Sequence, residues 1–275
     1  QRVWGRDLLA SDAVAEAANL LRRTTGVKQI VLAGFGFGCL VAAEAAARGL
    51  SGRGVILLAP PLSGRRYIRE TQALAAMVAA EDDGSEQIPQ GAICIAGFIM
   101  PPDFAKEART LDLSRMGLRQ DAFCIVGAKP DFDASDLVAT LGADGADVRE
   151  CRLQGYAEIM AGPTMAVTPT VAFQSVIGVL RDVSPMRPLD EAIEPELSMP
   201  QIVGEGFVET AARFGDGDRL FGVICRPETA RAGAPIVIMI SVGRNSHIGW
   251  RRMNVENARA LARMGVATLR FDLAG

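Results

Sequence analysis

The residues that could do chemistry are few, and the densest group is a glycine turn. Gly34-Phe35-Gly36-Phe37-Gly38 places glycine at every second position, after the apolar run 30–33 and before an Ala-rich stretch. Glycines two before and two after the apex of a strand–turn–helix let strand and helix close on each other and hold the apex in a strained conformation. That geometry exposes a nucleophile in G-x-S-x-G turns. The apex here is Gly36, so the expected geometry comes without a nucleophile. Two other readings stay open: a plain tight turn between strand and helix, and a dinucleotide-binding turn in which Gly34 and Gly36 begin G-x-G-x-x-G and helix amides meet a pyrophosphate. Against the dinucleotide site, Cys39 stands where the third glycine belongs, and the next apolar run ends in Ala59-Pro60-Pro61, without an acid for a ribose hydroxyl. Arg65 and Arg66 would have to hold a 2′-phosphate instead.

Cys39 lies near a helix N-terminus, where a thiolate is favoured, but three residues past the apex it faces away from the apex position and reads as a packed thiol. The chain has a single His, His247, in the loop stretch Gly243-Arg244-Asn245-Ser246-His247-Ile248-Gly249. Any mechanism that needs a histidine must use that one or borrow from another chain. Five scattered cysteines without C-x-x-C read as buried thiols of a cytoplasmic protein, and with one His they supply no metal-ligand cluster. No cofactor is implied. Hydrophobic residues make up 49% and charged ones 22%, with a net charge of −3. This balance fits a globular chain with no overall basic footprint for nucleic acid, and no apolar run is long enough to span a membrane.

The elements that must position these residues alternate in the manner of an α/β fold with a mostly parallel sheet flanked by helices. Helices are predicted over 11–24, 39–48, 64–80, 135–141, 165–182 and 251–264. Strands are predicted over 30–33, 55–58, 123–126, 148–153, 207–214, 219–225, 236–240 and 266–271. The run 30–33 is expected at the centre of its sheet, with 55–58 and 123–126 stacking outward on one side. Residues 81–91 read as a polar loop, and 64–120 as an insertion over the sheet. The proline-rich, acidic stretch 184–203 reads as a linker between domains 1–183 and 204–275. A first residue that is Gln, and a last residue just past a strand-like run, suggest a fragment.

At this point the sequence resembles a known family. Residues 29–44 (QIVLAGFGFGCLVAAE) resemble the elbow and following helix of the α/β-hydrolase superfamily, especially the bacterial serine-aminopeptidase-like hydrolases. The run 123–126 followed by Asp131 is similar to the strand and loop that carry the family's acid. Residues 153–156 (LQGY) are similar to the loop that carries its histidine. Residues 218–227 (DRLFGVICRP), 237–249 (VIMISVGRNSHIG) and 259–275 (RALARMGVATLRFDLAG) resemble the family's opening hairpin, its oxyanion strand and loop, and the run toward R-F-D-x-x-G-x-G-x-S. The order is swapped, as in two tandem hydrolase domains cut at both ends, or as in a circular permutation.

The resemblance implies an ester, thioester or amide hydrolase and puts the triad at Gly36, Asp131 and Tyr156. Glycine offers no nucleophile, and tyrosine is a poor base near neutral pH. Asp131 reads equally as an ordinary loop acid after Pro130. Phe35, Phe37 and His247 are the expected contacts to substrate or oxyanion. The resemblance thus implies a catalytically incomplete hydrolase domain, with a small acyl-type substrate or ligand and a neighbouring hydrolase domain as partners. An active serine hydrolase completed beyond residue 275 is the alternative, and the dinucleotide enzyme a third. If 207–275 is the missing first half of a hydrolase domain, it is expected to dock on 1–183, with 236–240 beside 30–33.

Overall fold

The computed structural model describes residues 10–27, 29–50, 53–79, 89–95, 98–161, 167–183, 201–240 and 246–273. The expected loop 81–91 and linker 184–203 lie mostly outside the described residues, as does Lys28. The chain divides into two compact units, Gln1–Glu196 and Leu197–Gly275.

In the first unit, helix α1 (Ala10–Thr25) precedes strand β1 (Val31–Phe35), helix α2 (Gly38–Ala47), strand β2 (Gly54–Leu58) and helix α3 (Gly64–Ala79). A short hairpin, β3 (Ile93–Ile95) and β4 (Phe98–Met100), and helix α4 (Pro102–Ala108) follow. The chain then returns to regular alternation with β5 (Phe123–Ala128), α5 (Ser135–Gly142), β6 (Asp147–Arg152), the single turn α6 (Tyr156–Ile159) and α7 (Thr170–Val183). Strands β1, β2, β5 and β6 pair in that order, all parallel.

The sheet forms because β2 and β5 are apolar on both faces, as parallel strands between helices must be. Val55, Leu57, Cys124 and Val126 face Leu40 and Ala43 of α2 and Leu137 and Leu141 of α5. Ile56, Phe123 and Ile125 face Ala172 and Val176 of α7. The stacking order outward from β1 is as expected, but β1 is an edge of this sheet and not its centre. The run 236–240 belongs to the second unit, where one of its edges pairs with 268–271. The opposite edge, β6, carries Asp147, Arg149, Glu150 and Arg152, with Arg149 paired to Asp147 at 2.6 Å, a charged edge that discourages further strand pairing. The inserted segment has a small core of its own, Ile68, Ile93, Ala105 and Ala108.

The second unit is a five-stranded sheet in the order β10 (Val237–Ile240), β11 (Thr268–Phe271), β9 (Leu220–Pro227), β8 (Phe207–Phe214), β7 (Gln201–Gly204). Helix α8 (Met253–Arg263) connects β10 to β11, which are parallel; the other pairs are antiparallel. The strand β7 corrects the expected linker end. Residues 201–203 are paired to β8 through a reversal in which Gly206 takes φ +77°, so the linker reading fails at its last residues.

On the α8 face of this sheet, Glu209 is 2% exposed and bound by two guanidinium groups, Arg259 Nη2 at 2.7 Å and Arg270 Nη1 at 3.0 Å. Burial by itself would raise the Glu209 carboxyl, but the hydrogen bonds and charges of Arg259 and Arg270 outweigh it and hold the group below its ordinary range.

Candidate functional site

The glycine turn has elbow geometry. Phe35 ends β1, Gly36 takes φ +55°, and α2 begins at Gly38. The amide of Gly36 donates to the Leu58 carbonyl at 2.9 Å, and the Gly36 carbonyl accepts from the Cys39 amide at 3.0 Å, so the apex is fixed from both sides. A Cβ at Gly34 would run into the carbonyl of Gly38, which makes glycine obligatory where strand and helix meet. A Cβ at Gly36 would meet nothing within 4 Å. The apex therefore has the open space and the left-handed backbone of a nucleophile position, and no side chain.

Cys39 does not substitute. It is fully buried and points down into the sheet, its thiol donating toward the carbonyls of Gly34 and Leu58, both at 3.2 Å. Burial pushes it up to about 12. Its side chain also fills the place where a third glycine would give a dinucleotide-binding helix its close approach. Of the two arginines that reading would need, Arg66 is held by Glu70 at 2.8 Å.

The other expected residues come from the carboxyl ends of neighbouring strands, where open parallel sheets place their ligands. Tyr156 opens α6 just past β6, and its ring stacks on Phe35 with centroids 6.2 Å apart. The structure thus brings Tyr156 to the residue beside the apex. Asp131, two residues beyond Lys129, is exposed, and among the described residues no hydrogen bond or ion pair reaches it. The acid that is engaged there is Asp133, whose carboxylate accepts from the Ser135 amide at 2.9 Å and hydroxyl at 2.6 Å and closes the turn into α5. Phe37, half-buried, packs between Tyr67 at 4.8 Å and Phe104 at 5.5 Å, joining the elbow to the inserted segment. Phe35 stays 40% exposed.

Lys129 was not singled out in the sequence. It follows β5 directly, and its ammonium sits 5.1 Å from the centre of the Tyr156 ring. Arg152 fixes this loop by donating to the carbonyls of Phe132 at 2.7 Å and Lys129 at 3.4 Å. The one available signal was scarcity: the chain has lysine only at 28, 106 and 129.

In the second unit, His247 is committed to its own sheet. Asp272, just past β11, accepts from the His247 backbone amide with one oxygen and holds Nδ1 at 2.8 Å with the other. Phe221 meets the imidazole edge to face at 5.3 Å, and its carbonyl accepts from the Asp272 amide at 2.9 Å. The clamp orients the ring with Nε2 away from the carboxylate and ties the turn after β10 to the end of β11. Residues 241–245 of this loop lie outside the described residues.

Among the described residues no group of three His, Cys, Asp or Glu could hold a metal ion, and no helix is long and apolar enough to cross a membrane. No protein-family model matches the chain, and no curated protein does. Solved structures do resemble it. A proline iminopeptidase-related protein from Thermus thermophilus is 16% identical over 64% of this chain and 72% of its own, with a TM-score of 0.38. The thioesterase domain of NocB, from the nocardicin cluster, is 15% identical over 64% of this chain and 78% of its own, with a TM-score of 0.37. The surfactin-cyclising thioesterase domain SrfTE is 17% identical over 66% and 79%, with a TM-score of 0.34. At TM-scores this low, the reading of the site rests on its own geometry.

Proposed function

We propose that this chain is an α/β-hydrolase-like protein whose elbow no longer performs covalent catalysis and serves to bind a small acyl-type ligand. The observation that carries the reading is the apex itself. Gly36 keeps the left-handed backbone, the anchoring to Leu58 and the open space of a nucleophile position, with no atom able to attack a carbonyl. Tyr156 at the expected histidine position supports it, since a phenol is a poor proton acceptor near neutral pH. Cys39, locked beneath the turn, offers no replacement.

The test is covalent labelling by a fluorophosphonate, which requires an activated hydroxyl. The wild-type chain is expected to stay unlabelled, and the Gly36→Ser, Tyr156→His double variant to label. Equal labelling of both would sink the reading, because some other residue would then be the nucleophile. A folded double variant that stays unlabelled would count against a hydrolase-like elbow, since serine and base together would fail to recover its reactivity.

A further inference from the structure

We propose that the space beside the elbow is a binding site for a small organic carboxylate with an aromatic or apolar body, its anion on the Lys129 ammonium and its body against Phe35. This deepens, and rests on, the reading of the elbow as an emptied nucleophile position. Phe35, Tyr156 and Lys129 form one continuous group, with ring centroids 6.2 Å apart and the ammonium 5.1 Å from the Tyr156 ring.

A cation over a ring has its charge partly balanced but its N–H donors unused, and lysine has three. No carboxylate lies within ion-pair distance of Lys129 among the described residues: Asp133 is taken by Ser135, and Glu150 by Arg152 at 3.3 Å. The positive charge also reaches beneath the apex, where it opposes in small part the effect of burial on Cys39. Phe35 supplies exposed aromatic surface beside Gly36, where a built side chain meets only open space.

The composition of the group sets the ligand class. One ammonium and two rings suit a monoanion with a flat or apolar body. A neutral ester or amide leaves the cation unanswered. A hydrolase with a nucleophile releases a carboxylate, whereas this arrangement would retain one.

The experiment is 19F NMR titration of the full chain with 4-fluorobenzoate, alongside its neutral analogue 4-fluorobenzamide. Saturable binding of the acid is expected, with the amide at least about tenfold weaker, as for loss of one charge-assisted hydrogen bond. Lys129→Gln is expected to weaken the acid by about tenfold and leave the amide unchanged. Phe35→Ser should weaken both, and Lys106→Gln, the same charge change on α4, neither. Absence of saturable binding to the wild type, equal affinity for acid and amide, or equal effects of the two lysine variants would overturn the proposal. Failure here together with labelling of the Gly36→Ser, Tyr156→His variant alone would remove the carboxylate site and leave the elbow reading intact.

Discussion

Alanine placed in turn at Gly34, Gly36 and Gly38 measures the elbow directly, because the three glycines are there for different reasons. At Gly38 a Cβ meets nothing within 4 Å and the backbone is not left-handed, so Gly38→Ala should shift stability by no more than about 0.5 kcal/mol in either direction. At Gly36 there is equal room, but φ is +55°; the left-handed penalty of about 1–2 kcal/mol, less a few tenths gained from a stiffer unfolded chain, leaves a net loss of about 1 kcal/mol. At Gly34 the added carbon meets the backbone of Gly38 and Cys39, which cannot rotate away. Relief requires α2 to lift from β1, breaking the contacts of Cys39 and Leu40 with the sheet, and the cost should be about 3 kcal/mol or more. Hydrogen exchange of β2 and β5 peptides across a urea series reads the first unit separately from the second. The order Gly34, then Gly36, then Gly38 is the prediction. If Gly34→Ala lies within about 1 kcal/mol of wild type, strand and helix do not meet as described.

Two further outcomes follow from buried groups. Removing Glu209 leaves Arg259 and Arg270 without their shared anion, and Arg270 is 4% exposed, so Glu209→Ala should cost the second unit about 3–5 kcal/mol by urea unfolding. The Glu209 carboxyl is held below its unfolded value, so the stabilisation it gives is present above that value and fades as pH falls through the folded one; a variant whose acid unfolding matched wild type would refute this. Alkylation by iodoacetamide at pH 8.5, mapped by mass spectrometry, should reach half-buried Cys94 well before Cys39, whose thiol lies up at about 12. Equal rates would mean the Cys39 thiol is not locked between Gly34 and Leu58.

The fold was legible wherever burial forces a pattern. The runs 55–58 and 123–126 must be apolar on both faces to lie between α2, α5 and α7, and a run of that kind has few other readings. Strands β8 and β9 were legible as the runs 207–214 and 219–225. What the pattern could not convey was the identity of pairing partners. An apolar run such as 236–240 presents the same backbone to any strand, and the expected place beside 30–33 came from family strand order. Within the second unit one edge of it pairs with Thr268–Phe271, which the β10–α8–β11 connection brings alongside. For a similar reason 201–203 was hidden: prolines nearby gave the segment a linker's composition, while its pairing depends on the turn at Gly206.

At the site, the elements that act through backbone were readable and those that act through side-chain position were not. Glycine at 34 and 36 answers a close approach that a Cβ would block and a left-handed apex that side chains adopt at a cost, so a tight turn was readable from the spacing. Asp131 and Asp133 differ by two positions in one loop, both exposed, and nothing in their identity says which will accept from Ser135. His247 drew attention as the single histidine, yet its role is set by Asp272, which lies 25 positions later and reaches it only because β10 and β11 are adjacent. Lys129 carries the same lesson. A lysine after a strand ordinarily turns to water, and it is the placement of Tyr156 by β6 that holds this one beside the elbow. Glycine at the apex can be read from one letter, whereas a lysine over the Tyr156 ring emerges only from the way β5 and β6 lie side by side.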